Sequence, residues 1–225
     1  MPKRVVVLAN DEIYHVFNRS IARENIFAQN QKINLNKALE IINYYRFPQK
    51  IRLSRFNNLP AQLKKQYLDA LAGVAPLVEI YVFALMPNHF HFLLKQTQNK
   101  GIAVFIANFQ NSFAKVFNLK NDRNGALFQN AFKAKRIIAD EQFIHVSRYI
   151  HLNPVTSYIV EFDKLASFDW TSFPVYASNA NEQFPFINPD FLWKMLGSKE
   201  KYVKFVADQV DYQRKLVHIK DLMID

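Results

Sequence analysis

Two histidines separated by one residue are the first feature of this sequence that could support chemistry. His89 and His91 lie in the apolar run IYVFALMPNHFHFL, residues 80–93. Successive side chains of an extended strand point to opposite faces, so the two imidazoles share one face while Phe90 points to the other. Imidazole is a common ligand of divalent cations, and a strand fixes the spacing of two such ligands. The pattern is typical of half a metal site, although two partly exposed strand histidines with no ligand would look the same.

A second set of polar residues precedes Pro154 in a segment with helical periodicity. Tyr149 and Asn153 are four residues apart, so they are neighbours on one helix face, and His145 lies one turn earlier on that face. A phenol and an amide oxygen could be presented together as a nucleophile and a metal ligand. The alternative is structural: a half-buried tyrosine with a hydrogen-bonded hydroxyl, and an asparagine that caps the helix before proline.

Composition restricts the class of partner and the type of metal site. The 225 residues include 29 Lys and Arg against 19 Asp and Glu, a net charge of +10, and 15% are aromatic. This balance favours a polyanionic partner such as nucleic acid, although solvated lysine faces could also produce it. There is no cysteine, so a metal must be held by nitrogen and oxygen ligands. Only four glycines and no phosphate-cradling motif argue against a nucleotide cofactor.

The sequence gives no indication of a membrane partner. No run approaches the roughly 18 uncharged apolar residues that a membrane span requires. The amino terminus, MPKRVVVLANDE, turns acidic too early for a secretory signal. We therefore expect a cytoplasmic protein.

Hydrophobic periodicity predicts an alternation of strands and helices. Strands are predicted at residues 12–20, 78–86, 89–96 and 126–138, and helices at 30–46, 60–73, 102–119 and from Glu141 to about Asn153, where Pro154 should end the last helix. The order predicts an α+β fold with a ferredoxin-like, RRM-like antiparallel sheet and helices on one face. A late helix carrying Tyr149 and a C-terminal helical extension would complete it.

Four segments, in this order, match a known family: YHVFNRSIARENIF, ALMPNHFHFLL, GALFQNAFKAKRI and RYIHLNPV. The chain resembles the single-tyrosine HUH transposases, which are IS200-like, and within them the REP-associated tyrosine transposase branch. The resemblance runs from about Tyr14 to Val160 and continues more weakly toward the C terminus. It implies a catalytic domain at residues 1–160 and a C-terminal extension, packed on it or appended to it, at residues 161–225.

The resemblance also implies an activity and a set of catalytic roles. It implies a metal-dependent DNA strand transferase that nicks and rejoins single-stranded DNA through a covalent 5′-phosphotyrosine. Tyr149 would be the nucleophile, and His89, His91 and Asn153 would bind Mg²⁺ or Mn²⁺. Asn153 takes the place of the glutamine of related insertion-sequence enzymes. The sequence does not identify the group that takes the proton of Tyr149, and the candidates are a metal-bound water and His145.

Basic residues on predicted strands near this site are expected to position DNA through its phosphates. The candidates, which could also be ordinary exposed charges, are Arg19, Lys133, Lys135 and Arg136. His15 is interpreted as a packed strand histidine, and His151 points away from the face of Tyr149. We expect single-stranded or hairpin DNA as the partner, and the C-terminal extension favours a monomer over a homodimer.

Two other functions are compatible with the same residues. One is a domesticated nucleic-acid-binding protein on the same scaffold, whose binding would survive Tyr149→Phe and need no metal. The other is a metal-dependent hydrolase with water as its nucleophile, which would turn over without a covalent intermediate. The joint presence of two histidines, a tyrosine and an amide favours the strand transferase.

Overall fold

A central antiparallel sheet organises the protein, and the computed structural model describes residues 6–27, 32–129, 131–178 and 182–214 of it. The sheet has four strands in the spatial order β2-β3-β1-β4. They are β1 (Ile13–Arg19), β2 (Val78–Met86), β3 (His89–Gln96) and β4 (Lys133–Ile137). The central position of β1 means that residues near the amino terminus lie directly beside the histidine strand β3.

Eight α-helices and two short 3-10 helices, at Ile21–Arg23 and Phe162–Ser167, occur in the described ranges. The α-helices are α1 (Lys32–Tyr45), α2 (Leu53–Asn57), α3 (Ala61–Asp69), α4 (Gly101–Lys120), α5 (Asp140–Thr156), α6 (Phe173–Ser178), α7 (Asp190–Leu196) and α8 (Lys199–Ala207). The predicted α+β class and its antiparallel sheet are confirmed. Among these helices, none combines the length and the hydropathy needed to cross a bilayer.

Strand alternation in β3 separates an apolar face of the sheet from a polar one. Phe90 and Phe92 are fully buried and pack on α4, with ring centroids 5.3 Å from Phe90 to Phe109 and 5.8 Å from Phe92 to Phe105. His89 and His91 therefore point to the other face, which α5 covers in part. Burial of the phenylalanines fixes the register of the strand, because a slip of one residue would exchange the two faces.

The tight turn between β2 and β3 is held from outside by the segment that follows β1. The carbonyl oxygen of Pro87 accepts hydrogen bonds from the backbone N–H groups of Ile26 (2.8 Å) and Phe27 (2.9 Å). The carbonyl oxygen of Asn88 accepts another from the N–H of Ser20 (2.8 Å). These bonds fix the backbone immediately before His89.

Two predicted boundaries were wrong. Helix α5 does not end at Asn153 but continues through Pro154 to Thr156. Proline in a helix interior removes one hydrogen bond and costs about 3 kcal/mol. Here, however, residues 150–156 are all buried, and the Asn153 carbonyl still accepts a hydrogen bond from the Ser157 N–H (3.0 Å). Packing of the last turn therefore outweighs the preference of proline.

The strand predicted at residues 126–138 is shorter in the structure, where β4 begins at Lys133. The residues that precede β4 pair instead with the end of β1 and with the segment that follows β1. The Gln129 N–H donates to the Arg19 carbonyl (2.9 Å) and the Ile21 N–H to the Leu127 carbonyl (2.9 Å). This early pairing brings Gln129 beside Arg19.

The C-terminal segment packs on α5 and on the edge strand β2. The ring of His151 in α5 lies 2.6 Å (Nδ1) from the hydroxyl of Tyr202 and 2.8 Å (Nε2) from the hydroxyl of Ser172. The Ser172 N–H also donates to the Phe83 carbonyl in β2 (3.0 Å). The division of the chain near residue 160 stays a prediction.

Candidate active site

A depression of about 370 Å³ opens on the histidine face of the sheet, beside α5. Its lining residues are Phe17, Asn18, Arg19, His89, His91, Gln129, Lys133 and Tyr149. Five of the residues singled out from the sequence therefore come together here. Two larger depressions, of about 510 and 550 Å³, lie along α4, and neither has a histidine or an acidic side chain among the described residues that line it.

Strand pairing explains why the two histidines lie beside the guanidinium of Arg19. In the antiparallel register of β1 and β3, Arg19 lies opposite His89 and Phe17 lies opposite His91. Paired residues in adjacent strands project to the same face, so the guanidinium shares a surface with both imidazoles. The two imidazole centroids are 5.0 Å apart.

Each of these imidazoles has one nitrogen engaged inside the protein. The Nδ1 atom of His89 lies 2.7 Å from Oδ1 of Asn88, and the Nδ1 atom of His91 lies 2.8 Å from Nε2 of His15. An amide oxygen only accepts hydrogen bonds, so Nδ1 of His89 carries the proton and donates it. The lone pair of the neutral His89 ring is therefore on Nε2, the nitrogen available to a ligand.

The environment keeps all three histidines neutral near pH 7. Burial, followed by the charge of Arg19, lowers the pKa of His89 to about 4. Burial, followed by the charge of Lys135, lowers the pKa of His15 to about 4. Burial and the nearby His15, His89 and Arg19 hold the pKa of His91 well below its usual value. Neutral imidazole is the form that binds metal ions.

Tyr149 stands over this cluster from α5. Its ring meets those of His91 and His15 edge-on, at centroid distances of 5.8 and 6.0 Å, and 43% of the residue is exposed. Burial raises the pKa of its phenol, while the charge of Arg19 lowers it. The phenol is therefore neutral near pH 7, and its attack on a phosphate requires loss of a proton.

Asn153 lies one helical turn after Tyr149 and is buried, with 7% of its surface exposed. It is not among the residues that line the depression. Within the described residues its Nδ2 atom has no hydrogen-bond partner. A buried polar atom without a partner is costly and asks for a functional reason.

The donor set fits a hard or borderline divalent cation. Two neutral imidazoles and a buried amide supply nitrogen and oxygen ligands of the kind that Mg²⁺ and Mn²⁺ accept. Among the described residues, no group of three or more His, Cys, Asp or Glu side chains is placed to hold a metal ion. The amide of Asn153 is the predicted third ligand, and its role stays a prediction.

Some of the residues predicted from sequence lie outside the depression. Lys135 is on the same face as His15, its partner in the strand register, but does not line the depression. Arg136 pairs with Tyr14 on the opposite face, and its Nε donates to Glu12 (2.9 Å). The DNA contact predicted for Arg136 thus stays a prediction that its position does not favour.

His145, one of the two candidate proton acceptors, also lies apart from the cluster. Its Nδ1 atom is 2.8 Å from the guanidinium of Arg148, and its ring packs near Phe205 of α8 at 5.6 Å. Residues one turn apart share a helix face only approximately, and here His145 turns toward α8 rather than toward Tyr149.

Sequence reasoning missed the part that His15 and Gln129 play in this region. His15 alternates with Phe17 and Arg19, which placed it on their face. The pairing of β1 beside β3 was the missing information, since it depends on the order of strands in space. For Gln129 we find no sequence signal; it reaches the site because the Asn18 side chain donates to its backbone carbonyl (3.0 Å) and anchors that segment.

Comparison with known proteins relates part of the chain to a transposase family. Residues 50–153 match the family described as "Transposase IS200 like". The matched segment contains His89, His91, Tyr149 and Asn153, and it begins after β1. A comparison with curated proteins gave no match.

Among solved structures, the chain is similar to one described as a REP-associated tyrosine transposase bound to a REP hairpin. The TM-score is 0.52 at 14% identity, over 84% of this chain and 90% of that chain. It is also similar to a protein from Deinococcus radiodurans R1 described as a candidate transposase, with a TM-score of 0.36 at 14% identity, over 66% of this chain and 95% of that chain. The first similarity is one of fold. The family match makes residues 50–153 of this chain similar to the IS200-like transposases.

Proposed function

We propose that this protein cleaves and rejoins single-stranded DNA, using Tyr149 as the nucleophile. The observation that carries the proposal is the position of the Tyr149 ring, edge-on to the buried His91 at 5.8 Å and above a depression that Arg19 and Lys133 also line. The similarity of residues 50–153 to the IS200-like transposases supports a DNA-processing enzyme. The fold shared with a hairpin-bound transposase supports the REP-associated branch and DNA that is hairpin-shaped or single-stranded.

The reaction is an in-line displacement at a phosphodiester. The Oη atom of Tyr149 forms a bond to phosphorus, and the bond from phosphorus to the 3′ oxygen breaks. The products are a 5′-phosphotyrosine and a DNA strand with a free 3′-hydroxyl. Because the number of phosphoester bonds is conserved, a 3′-hydroxyl can reverse the step and join strands without ATP.

Mg²⁺ or Mn²⁺ would be held by Nε2 of His89, Nε2 of His91 and Oδ1 of Asn153. When bound, it would supply Lewis-acid polarisation of a phosphoryl oxygen and neutralise charge that develops in the transition state. The side chains of Arg19 and Lys133 bind and orient the phosphate from the same depression, and Lys135 extends this positive surface along β4.

Proton movement uses the exposed edge of Tyr149. No carboxylate is among the described residues that line the depression. Because 43% of Tyr149 is exposed, its proton leaves toward solvent, and the departing 3′ oxygen takes up a proton in exchange. The charge of Arg19 favours the phenolate form as the bond to phosphorus develops.

Labelled single-stranded oligonucleotides from palindromic repeats that flank the gene would test the proposal. With Mn²⁺ or Mg²⁺, a covalent protein–DNA band should appear on a denaturing gel. Tyr149→Phe and His89→Ala should both abolish the band. Tyr158→Phe is the matched control, because Tyr158 follows the same helix and is 68% exposed, and it should leave the band intact.

The alternatives predict different gels. Tight, metal-independent binding without any band would favour the domesticated binding protein. Metal-dependent cleavage that persists in Tyr149→Phe would favour a hydrolase that uses water. Either result would overturn the proposed role of Tyr149.

A further inference from the structure

His15 is a buried histidine that has no part in the reaction described above. It is 8% exposed, and its Nε2 atom lies 2.8 Å from Nδ1 of His91. The two rings are stacked, with centroids 5.1 Å apart and planes 23° apart. Its other neighbours are the ring of Phe17, at 4.9 Å, and the edge of Tyr149, at 6.0 Å.

The direction of the hydrogen bond between these two rings decides what His91 can bind. A neutral imidazole carries one proton, so one nitrogen donates and the other accepts. If His15 donates, Nδ1 of His91 is the acceptor and its Nε2 carries a proton, which blocks ligation. If His91 donates from Nδ1, its Nε2 keeps a free lone pair.

We propose that His15 is a positioning residue that accepts the Nδ1 proton of His91 and so holds His91 in the tautomer that ligates through Nε2. The arrangement parallels that of His89, whose Nδ1 donates to Oδ1 of Asn88 at 2.7 Å. The two imidazoles thus present the same nitrogen. The inference rests on the proposed function only in taking His91 as a metal ligand.

The packing around His15 fixes the position of its ring relative to His91. His15 is confined between Phe17, on its own strand, and Tyr149, on α5, so it presents a fixed acceptor to His91. Partners of this kind fix the orientation of a ligating imidazole, and their loss commonly weakens metal binding by about 10- to 100-fold. Loss of the acceptor leaves His91 free to change its tautomer or rotate.

Nitrogen-15 NMR on the wild-type protein without metal tests the tautomer directly. Long-range proton–nitrogen spectra distinguish a protonated ring nitrogen from an unprotonated one. His91 should show a protonated Nδ1 and an unprotonated Nε2, as should His89. A His91 with its proton on Nε2 would overturn the proposal, and this measurement needs no variant.

Two variants with the same metal-binding residues then test the energetic role. His15→Phe keeps a ring of similar size and removes the acceptor, whereas His15→Gln keeps an acceptor. Isothermal titration with Mn²⁺ should show affinity about 10- to 100-fold weaker for His15→Phe and within a few-fold of wild type for His15→Gln. Circular dichroism and thermal unfolding of both variants check that they fold.

The outcomes separate this inference from the proposed function. Mn²⁺ affinity within twofold of wild type in a folded His15→Phe variant would overturn the positioning role. If His15→Phe does not fold, a His15→Gln variant that binds Mn²⁺ no better than His89→Ala would overturn it as well. Weaker Mn²⁺ binding in His15→Phe, in a protein that forms no covalent DNA adduct, would support His15 and contradict the strand transferase.

Discussion

The buried histidine of α5 should make the protein sensitive to acid. The ring of His151 is fully buried, and both of its nitrogens lie within hydrogen-bond distance of hydroxyl groups, those of Tyr202 and Ser172. Burial lowers its pKa to about 3. Replacing it in His151→Phe removes the titrating group and retains an aromatic ring of similar size.

The size of the effect follows from linkage between proton binding and folding. The pKa of His151 in the unfolded chain is about 6.5, above its value in the folded protein, so the unfolded state binds the proton first as the pH falls. The stability that His151 contributes is complete above pH 6.5 and is lost progressively toward pH 3. Between pH 6.5 and 5 the loss is about 1.5 pKa units at 1.36 kcal/mol each, or roughly 2 kcal/mol.

Urea unfolding, followed by tryptophan fluorescence near pH 7.5 and near pH 5, measures this pH-dependent loss of stability. At the higher pH, His151→Phe should be less stable than wild type because its hydrogen bonds are lost. At the lower pH the difference in free energy of unfolding between wild type and His151→Phe should be smaller by roughly 2 kcal/mol. The matched control is His145→Phe, which removes an exposed histidine from the same helix. A difference between wild type and His151→Phe that is the same at both pH values would refute the reasoning.

Three further predictions concern DNA binding, the metal site and packing. Lys133→Ala should reduce the salt dependence of single-stranded DNA binding by about one phosphate contact, a slope change of roughly 0.7, whereas Arg136→Ala on the opposite face should change it less, as salt titrations would show. Asn153→Leu should abolish Mn²⁺ binding in calorimetry. It should change the free energy of unfolding by less than about 1 kcal/mol, because the amide nitrogen that it removes has no hydrogen-bond partner. A large loss of stability in Asn153→Leu would contradict this prediction. Gly101→Ala should lower the free energy of unfolding, measured in urea, by about 1–3 kcal/mol, because a Cβ there would collide with the Leu77 carbonyl. Gly125→Ala is the comparison variant, since φ is +89° there and nothing lies within 4 Å of an added Cβ. It should lower the free energy of unfolding only by the backbone strain, about 1 kcal/mol.

Local pattern was sufficient to predict the histidine strand and its neighbours. Strands β2 and β3 occupy the predicted residues, because alternating phenylalanines and the Pro87-Asn88 turn are signals contained within a few residues. The helix α4 is also close to its prediction, since its apolar stripe has a helical period. Where one face of an element is strongly apolar, the sequence specifies both its extent and its orientation.

Features that depend on packing between distant segments could not be predicted. The helix α5 passes Pro154 because the C-terminal segment buries its last turn, and nothing near Pro154 in the sequence signals that burial. The hydrogen bond between His91 and His15 depends on β1 lying beside β3, a matter of strand order. Lys135 and Arg136 must point to opposite faces because they are adjacent in a strand, but which of them shares the face of the histidines depends on the register of β4 with β1.

The central claim, that Tyr149 becomes covalently linked to DNA, is tested most directly by mapping the attachment site. The covalent product formed with Mn²⁺ and a single-stranded repeat oligonucleotide would be digested with protease and nuclease and analysed by tandem mass spectrometry. A nucleotide linked through its 5′ phosphate should appear on the peptide that contains Tyr149. Linkage to another tyrosine, or cleaved DNA with no linked peptide, would contradict the account.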